Sequence, residues 1–435
     1  DFRGGVNNRP GTEFMGWTKS TSGTKVRLIP FSFSTTQTYI LEFGNLYFRV
    51  LKDGAYVTET AVAITGATQA NPAVITAVAH GFSNGDWVFI TGVAGMTQLN
   101  NRFFVVGGVT ANTFTISFPP TGATGIDSTG YTAYSSGGTA ARVYTVTTPY
   151  ISADLATLKF TQSADTMTLT HPSYQQRDLT RTGHAAWTLT VIAFGATISG
   201  VTGGTILAST AGNDTYVYCI TAVNLAGEES ERSLSNITLV SLGSGATENV
   251  RISWTAVSGA VYYNVYRSNF VNPIGTLTTR NVLGPNLGLL SSPIPAAIVD
   301  QAINTVPDFS IQPPLHYNPF ATEAVDFIPI TNGGANYAAT TTATITTATG
   351  VGAVIQPEVL SGIIRGFTIY NRGIGYKSTD TIALANIGAG AGATFGALVV
   401  SPASGTYPSV VTYFQQRIVY GGSTNSPSTL WTSKT

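Results

Sequence analysis

Short runs of alternating apolar and polar residues, each closed by a turn signal, recur through the chain and constrain its fold most strongly. Residues 154–185 read as strand, turn, strand, a turn over residues 172–174 and a polar strand. Residues 27–53 and 409–434 share this cadence. Alternation over about four to eight residues is typical of a half-buried strand. The pattern predicts an all-β protein in which these three stretches form one discontinuous β-scaffold.

The composition favours a protein that assembles with neighbours. Only 10% of the 435 residues are charged, and 21 Lys and Arg balance 21 Asp and Glu. A neutral chain lacks the clustered cations with which proteins bind nucleic-acid phosphates. A net charge near zero also favours association of copies or partners. The alternative interpretation of the same composition is an ordinary β-protein of low charge that does not assemble.

Cysteine and hydropathy exclude further classes. The single cysteine, Cys219, cannot form an internal disulfide, and the alternation around it predicts a core position. No apolar run approaches the ~20 residues that a membrane helix needs, and the first residues do not resemble a signal peptide. Because Asp1 is not an initiator Met, we expect the numbering to begin inside a longer chain.

The scaffold stretches carry short motifs in a fixed order. They comprise a Phe-Gln-Gln-Arg strand, a Gly turn, an Asn-x-Pro turn and a Trp-x-Ser strand near the end of the chain, and two earlier signatures. The residues are Phe414, Gln415, Gln416, Arg417, Gly421, Asn425, Pro427, Trp431 and Ser433, then Phe160, Gln162, Asp165, His171 and Pro172, and then Arg9, Pro10, Gly11 and Thr12. Together they resemble the tail nozzle (tail tubular protein B) family of short-tailed bacteriophages of the podovirus type.

That resemblance covers the scaffold and implies a β-propeller-like body with inserted modules. It implies a structural component of a virion's short tail, assembled in the bacterial host cytoplasm, that conducts DNA during genome ejection. The implied partners are further copies in a homohexameric ring, a tail adaptor protein, and tail fibres or spikes. Genomic DNA would pass without sequence-specific binding. The scaffold segments add up to roughly 160 residues, or about four blades, so we expect the scaffold to continue beyond Thr435.

Changes in composition and turn signals divide the chain into seven segments. These are scaffold 1–65, an inserted small β-barrel module 66–148, scaffold 149–198, an inserted fibronectin type III-like sandwich 199–306, a scaffold link 307–323, an inserted Gly-Tyr repeat β-module 324–404, and scaffold 405–435. Pro313, Pro314 and Pro319 exclude a regular strand in the link.

The first insert resembles a small module from the first catalytic-cysteine half-domain region of ubiquitin-activating enzymes, which recurs in phage tail proteins. The matching residues are His80, Gly81, Phe82, Gly85, Asp86, Val88, Gly92, Asn101, Phe103, Asn112, Thr113 and Phe114. No cysteine lies in this segment, so the resemblance implies the fold alone. We interpret His80 as a turn residue rather than a ligand.

The second insert resembles a fibronectin type III sandwich. The cues are Tyr216, Tyr218, Ala222, Asn224, Gly227, Glu228 and Ser230, then Trp254, Gly259, Ala260, Tyr263, Val265 and Tyr266. Trp254 and Tyr263 are predicted to be core residues rather than a sugar platform. The Cys219 strand precedes the Trp254 strand, which differs from the usual family order and indicates a permuted module.

The third insert contains an internal repeat, Asn-x-Gly-x-x-Tyr, which resembles small Gly-Tyr repeats of phage structural proteins. Asn332, Gly334 and Tyr337 correspond to Asn371, Gly373 and Tyr376. A repeated unit usually means two halves that bury a shared face. The Gly-Ala run at residues 388–393 imitates a dinucleotide loop, but it leads into a strand pattern and is therefore predicted to be a strand.

The residues assemble no recognisable catalytic or metal-binding motif. His80, His171, His184 and His316 lie in different segments, and no nucleophile elbow or metal-ligand spacing is present. We therefore predict a protein that is not an enzyme, with no catalytic, cofactor-binding or metal-binding residues and no cofactor. Two alternatives stay open: a carbohydrate-binding adhesin or receptor-binding module of a virion, and a propeller hydrolase with paired carboxylates.

Overall fold

The protein is nearly all β in a computed structural model that describes residues 16–19, 24–34, 37–120, 122–202, 204–209, 214–232, 239–242, 249–268, 287–294, 297–300, 306–314, 316, 318–338, 340–360 and 362–433. Within these residues the one helical segment is a 3-10 turn, η1 (Thr97–Leu99). The predicted all-β class is confirmed. The motif at Arg9, Pro10, Gly11 and Thr12 lies outside the described residues.

The strands follow one another in short antiparallel runs. Up to residue 192 they are β1 (Arg27–Ser32), β2 (Thr38–Gly44), β3 (Tyr47–Lys52), β4 (Ala55–Tyr56), β5 (Val62–Ala63), β6 (Gly66–Ala67), β7 (Val74–Thr76), β8 (Trp87–Ala94), β9 (Arg102–Gly107), β10 (Thr113–Ser117), β11 (Ser136–Arg142), β12 (Thr145–Thr147), β13 (Lys159–Ser163), β14 (Thr166–His171), β15 (Tyr174–Gly183) and β16 (Ala186–Val191). From residue 193 they are β17 (Gly204–Ala208), β18 (Asp214–Asn224), β19 (Leu239–Leu242), β20 (Val250–Trp254), β21 (Ala260–Ser268), β22 (Leu287–Ile294), β23 (Ala297–Asp300), β24 (Val325–Phe327), β25 (Ile330–Tyr337), β26 (Thr342–Thr346), β27 (Val351–Leu360), β28 (Ile363–Ile374), β29 (Thr381–Ala385), β30 (Gly388–Phe395), β31 (Val399–Val400), β32 (Val410–Phe414), β33 (Arg417–Gly421) and β34 (Leu430–Thr432).

The chain divides into two compact units. Unit 1 consists of residues 1–192 and 407–435, and unit 2 of residues 193–406. The final strands therefore return to the body formed by the first half of the chain. The segment 307–323, predicted to be a scaffold link, belongs instead to unit 2. There the backbone N–H of Asp308 donates to Leu289, and that of Glu323 donates to Pro402.

Two scaffold sheets of unit 1 pack face to face. The first has the order β1-β2-β3-β12, with β4 paired to β3, and the second has the order β13-β14-β15-β16. Alternate residues of both sheets meet in one buried core, in which the ring of Phe31 lies edge-on to Trp187 with centroids 4.7 Å apart, and Tyr39 lies 5.4 Å from the same indole. Burying such aromatic area supplies much of the hydrophobic stabilisation of a core.

The third scaffold sheet, β32-β33-β34, lies against the opposite face of the second sheet. That face is polar: Thr168, Thr170 and Gln176 are buried there, and the Thr168 hydroxyl donates to Asp178 Oδ1 at 2.6 Å. Burial raises the pKa of the Asp178 carboxyl. Burial also raises the pKa of the Tyr420 hydroxyl on β33, and the nearby charge of Asp178 raises that pKa further. The scaffold thus contains three stacked sheets in the described residues, whereas its length suggested about four blades.

Two hairpin turns differ from their sequence-based positions. Gln415 and Gln416, expected within a strand, form the two-residue turn between β32 and β33 with φ of 47° and 64°. Positive φ at both positions is typical of a type I′ turn, for which Asn and Gly are the usual residues. The first hairpin turns at Asn45 and Leu46, one residue later than the Gly44–Asn45 turn expected from the sequence.

The first insert is a curled half-barrel sheet with the order β5-β11-β8-β9-β10-β7-β6. β5 and β6 lie at opposite edges of this sheet although only two residues separate them, so the sheet has to curl. Its interior is an apolar core that includes Phe82, Phe104 and Phe114. β12, which was expected within this module, pairs with β3 of the scaffold instead.

A buried ion pair joins the half-barrel to the scaffold. Arg49 on β3 is 0% exposed and donates from Nη2 to both carboxylate oxygens of Glu42, at 2.9 and 2.8 Å. Its guanidinium lies 4.2 Å from the ring centroid of Tyr56 and 4.6 Å from that of Trp87, which is on β8. Tyr47 also donates to Glu42. The charge of Arg49 therefore connects both bodies through hydrogen bonds and cation–π contacts.

Unit 2 contains the predicted sandwich. Its sheets have the orders β17-β20-β23 and β19-β18-β21-β22. Trp254 and Tyr263 are buried with ring centroids 5.2 Å apart, and Cys219 is also buried, so the predicted core roles of all three are confirmed. The Trp254 strand forms the middle of one sheet, whereas the Cys219 strand lies in the other.

The Gly-Tyr module of unit 2 is built from nested pairs: β24 with β31, β25 with β30, β26 with β29, and β27 with β28. One repeat comprises β25 to β27 and the other β28 to β30. The first strand of each repeat therefore pairs with the last strand of the other: β25 with β30, and β28 with β27. Tyr337 OH accepts from the N–H of Ala393, and Tyr376 OH accepts from the N–H of Ala353, both at 3.0 Å. The two halves thus exchange equivalent bonds, and the Gly-Ala run is strand β30, as predicted.

We expect Arg49→Met to lower the free energy of unfolding of unit 1 by about 3–5 kcal/mol, because it leaves a buried carboxylate without its cation. Urea unfolding followed by tryptophan fluorescence measures this. The pair of Lys52 and Asp53 provides the control, because its carboxylate is 76% exposed and its lysine only partly buried, so Lys52→Met should cost about 1 kcal/mol or less. Equal losses in the two variants would contradict a central role for the Arg49 pair.

Gly373→Ala should destabilise the Gly-Tyr module. Gly373 has φ of 63°, and an added Cβ would lie 2.6 Å from both the Tyr376 ring and the Ala353 nitrogen. Gly227 has φ of 81° with open space around it, so Gly227→Ala isolates the backbone strain, about 1–3 kcal/mol. Thermal unfolding should show a loss in Gly373→Ala that exceeds the control by about 1–3 kcal/mol, from overpacking. Matching losses would refute the steric role of the repeat glycine.

Candidate functional site

The histidines of the sequence are not brought together. His80, His171 and His184 lie in separate parts of unit 1, and His316 lies in unit 2. Among the residues that the structure describes, no three His, Cys, Asp or Glu side chains are grouped so that they could hold a metal ion. No catalytic or metal residue was predicted, and the described part of the chain offers one cluster that needs a chemical test.

That cluster surrounds His171 at the end of β14. His171 Nε2 lies 2.7 Å from the Thr157 hydroxyl and 3.9 Å from Asp154 Oδ1, while Tyr174 donates to Asp154 Oδ2 at 2.6 Å. A hydroxyl, an imidazole and a carboxylate at such distances are the components of a nucleophilic triad. The direction of the hydrogen bonds decides whether the imidazole can act as a base.

The imidazole faces the hydroxyl with its protonated nitrogen. The backbone N–H of Ser173 donates to His171 Nδ1 at 3.1 Å, so the neutral ring carries its proton on Nε2 and donates to Thr157. The Thr157 hydroxyl in turn donates to the Asp154 carbonyl at 2.9 Å. Burial lowers the pKa of His171, which keeps the ring neutral. A nitrogen that already donates cannot accept the proton of Thr157, so this arrangement does not activate a nucleophile.

The cluster instead fixes the loop that leads into β13. Besides His171, Arg27 of β1 holds this loop by donating from Nη1 to the carbonyls of Leu155, at 2.7 Å, and Leu158. His80 makes the same local bond as His171, because its Nδ1 accepts from the N–H of Phe82 at 3.0 Å. Both histidines are buried, and each accepts the backbone N–H of the residue two positions further along the chain.

Exposed apolar side chains form the more informative surface. On the third scaffold sheet, alternation directs Tyr420 and its neighbours toward the second sheet and directs Val410, Phe414, Val419 and Leu430 outward. Phe414 is 64% exposed and Leu430 72% exposed. We call these four residues face B. A Cβ on Gly421 would lie 2.8 Å from Leu430 and 3.6 Å from Val410, so face B is continuous across the sheet.

The first scaffold sheet has a comparable outer face. Its inward residues form the core with the second sheet, and its outward residues include Leu28, Pro30 and Ile40, which we call face A. Leu28 is 60% exposed, and Pro30 and Ile40 are exposed as well. Beyond Ile40 this side of the sheet is covered by the Arg49 junction. Faces A and B are thus the two outer ends of one three-sheet stack.

Sequence reasoning missed both faces, although a signal was present. In residues 410–414 every position except Thr412 is valine or aromatic, so both sides of the strand carry apolar residues. Such a strand is typical of a sheet that is covered on both sides. Face A could be recognised only after the register of β1 and β2 had shown that Leu28 and Ile40 lie on the side opposite to the core.

Comparison with known families supports the description of the first insert. The family model described as the ubiquitin-activating enzyme E1 FCCH domain matches residues 70–144. This segment holds β7 to β11 of the half-barrel and agrees with the resemblance seen in its sequence. Cys219, the single cysteine, lies outside it. No curated protein matches the chain.

The described residues were expected to contain no membrane-spanning helix. No helix in the described ranges is long and apolar enough to cross a bilayer.

Substituting His171 should make the stability of unit 1 less dependent on pH. Because burial lowers its folded pKa from the ordinary 6.5, the neutral ring stabilises the fold fully above about pH 6.5, and this contribution is lost as the pH falls below that value. We expect His171→Gln to cost about 1–3 kcal/mol at pH 7, since Thr157 and Ser173 lose a buried partner, and to show a smaller further loss between pH 7 and 5.

Urea unfolding at several pH values measures both effects. The wild type, measured at the same pH values, is the reference for both effects. Nitrogen NMR should detect the proton of neutral His171 on Nε2. A proton on Nδ1 would contradict the hydrogen-bond assignment.

Proposed function

We propose that this chain is a structural component of a short bacteriophage tail and forms the tubular nozzle that conducts DNA during genome ejection. The observation that carries the proposal is the discontinuous stack of unit 1. Sheets from residues 27–56, 159–191 and 410–432 pack together although long inserts separate them. An interrupted β-body that carries inserted modules is what the resemblance to the nozzle family implies.

The character of the inserts supports the same reading. The half-barrel, the sandwich and the Gly-Tyr module are small β-bodies, each with its own core. Modules of this kind suit attachment surfaces for a tail adaptor, fibres or spikes. The neutral charge suits the wall of a conduit, because each phosphate bound by a cation would slow the passage of DNA.

The chemistry of the described residues gives an enzymatic reading little support. The one triad-like cluster has its hydrogen bonds oriented away from base catalysis. Trp254 and Tyr263, which could have formed a sugar platform, are buried in the sandwich core. We therefore place a structural role ahead of the adhesin and hydrolase alternatives.

Electron microscopy of the purified chain, together with light scattering, tests the proposal. We expect rings or short tubes whose mass corresponds to a small closed set of copies, six if the resemblance to the family extends to assembly. Monomers that bind glycans on an array would favour the adhesin, and release of reducing sugar from host polysaccharide would favour the hydrolase. Either outcome would overturn the nozzle assignment.

A further inference from the structure

An open groove in the Gly-Tyr module is bordered by β29 and β30, which belong to two different strand pairs. We call it the repeat groove. Its volume is about 590 Å³, within the range of about 300–1,000 Å³ that is usual for ligand pockets. Its lining combines apolar side chains that also pack on the module core with polar side chains closer to solvent. The apolar ones include Ile382, Leu384 and Phe395, and the polar ones include Ser378, Asp380 and Thr394.

The two repeats of this module correspond position by position. The N–H groups of Ala353 and Ala393 make the equivalent hydrogen bonds to the two repeat tyrosines, so these alanines are corresponding residues. Gln356 and Gly396 each lie three residues further along the chain. A glutamine in the first repeat therefore corresponds to a glycine in the second.

Strand pairing gives the same correspondence. Gln356 lies opposite Thr368 in the pairing of β27 with β28, and the N–H of Gly396 donates to the Pro329 carbonyl. Thr368 and Pro329 each lie three residues before the asparagine of their repeat. Two separate sets of contacts thus align Gln356 with Gly396.

In the first repeat the glutamine fills the space that corresponds to the groove. Gln356 Nε2 donates to the Thr341 carbonyl at 2.9 Å, and β26 and β27 pack against each other. The corresponding carbonyl is that of Asp380, because Thr341 and Asp380 each lie four residues after their repeat tyrosine. Gly396 has no side chain to donate to it, and β29 and β30 approach each other much less closely than β26 and β27 do. The groove is therefore the place where a side-chain amide sits in the other half of the module.

We propose that the repeat groove binds an extended peptide segment of a partner protein, and that a glutamine side chain of this segment takes the place that Gln356 occupies in the first repeat. The side-chain NH₂ of glutamine supplies two donors, one of which reaches the Asp380 carbonyl. The methylene groups of the glutamine lie on Ile382 and Leu384. This inference goes beyond the proposed function, since it uses only the two halves of the Gly-Tyr module.

The lining favours such a peptide over other ligands. Asp380 is the one charged residue among those that line the groove, and like charges brought together disfavour binding of an acidic ligand. Phe395 is the one aromatic residue of the lining, and its ring packs edge-on against Phe367 with centroids 5.3 Å apart. The core thus already engages the ring on which a sugar would stack. The occupant that the chain itself supplies in its first repeat is a strand residue, Gln356 of β27.

Three capped tripeptides test the recognition on the full chain. The first, acetyl-Val-Ile-Gln-N-methylamide, repeats residues 354–356, and two matched probes carry leucine or glutamate in place of the glutamine. Methyl NMR of Ile382 and Leu384 reports on the groove. Ile345, which corresponds to Leu384 in the first repeat, is the internal control.

We expect the glutamine probe to shift the Ile382 and Leu384 methyl signals until they saturate, and to leave Ile345 unchanged. The leucine probe should bind about tenfold or more weakly, because it leaves the Asp380 carbonyl without a donor. The glutamate probe should bind more weakly still, because its carboxylate is repelled by Asp380.

Two substitutions of Gly396 locate the site. Gly396→Gln gives the second repeat a glutamine of its own, which should fill the groove and abolish binding of the glutamine probe. Gly396→Ala is the matched control, because it adds the same Cβ, 3.1 Å from the Pro329 Cβ, without the amide. This control should bind the glutamine probe as the wild type does, and circular dichroism verifies the fold of both variants.

Several outcomes overturn the proposal. The wild type might show no methyl shifts, or bind the glutamine and leucine probes equally; either result would refute recognition of the amide. Unchanged binding by Gly396→Gln would refute the location. If both Gly396 variants lose binding, the comparison of the three probes on the wild type decides. N-acetylglucosamine that shifts the same methyl signals at a lower concentration than the glutamine probe would make the groove a sugar site and refute the peptide. Each result is independent of whether copies form a ring, so the nozzle proposal is tested separately.

Discussion

A β-sheet in the middle of a stack has to bury both of its faces, and the second scaffold sheet shows how this requirement organises unit 1. Its apolar face packs on the first sheet through Met167, Leu169 and Leu179. Its other face is rich in threonine and is covered by the third sheet, where Thr168 satisfies Asp178. The two sides therefore contribute different amounts to stability. The apolar side is stabilised by the burial of hydrophobic area. The polar side gains only the small net free energy that is left after its hydrogen bonds have replaced hydrogen bonds to water. The Thr170 hydroxyl and the Gln176 amide nitrogen have no protein partner in that layer.

The insertion of a module into such a stack needs a rigid attachment, and Arg49 provides it. Glu42 and Arg49 face each other across the first hairpin, and Trp87 of the half-barrel covers the guanidinium. A buried ion pair contributes little net stability compared with apolar residues of the same size. Its geometry is nevertheless specific, because the carboxylate accepts from fixed donors on Arg49, Tyr47 and Tyr56. The pair thus defines the orientation of the insert relative to the scaffold strands within unit 1.

The sequence pattern predicted those features that are determined by neighbouring residues in the chain. The core position of Cys219 and the repeat around Tyr337 and Tyr376 followed from alternation and spacing, and the strand of Trp254 was expected from the resemblance to a fibronectin type III sandwich. The turn at Gln415 and Gln416 did not, because glutamine seldom adopts positive φ and nothing in its neighbours indicates a hairpin. The grouping of residues 307–323 with unit 2 was not expected either, since a proline-rich segment carries no periodicity and its membership depends on distant backbone partners. The Glu42–Arg49 pair could have been anticipated only with the first hairpin placed at Asn45 and Leu46.

The same distinction explains why faces A and B were harder to find than the fold. A catalytic or metal-binding site usually needs particular residue types at particular spacings, such as grouped histidines or carboxylates. Whether a sequence contains such a motif can be seen directly. Faces A and B consist of ordinary valine, leucine, isoleucine, proline and phenylalanine, which a sequence offers equally to cores and to surfaces. Only the register of each sheet, and the side on which its neighbour packs, separates Phe414 from Tyr413 or Leu28 from Ile29. In a protein built from stacked sheets, exposed residues with the apolar character of a core therefore mark the outer sides of the described stack.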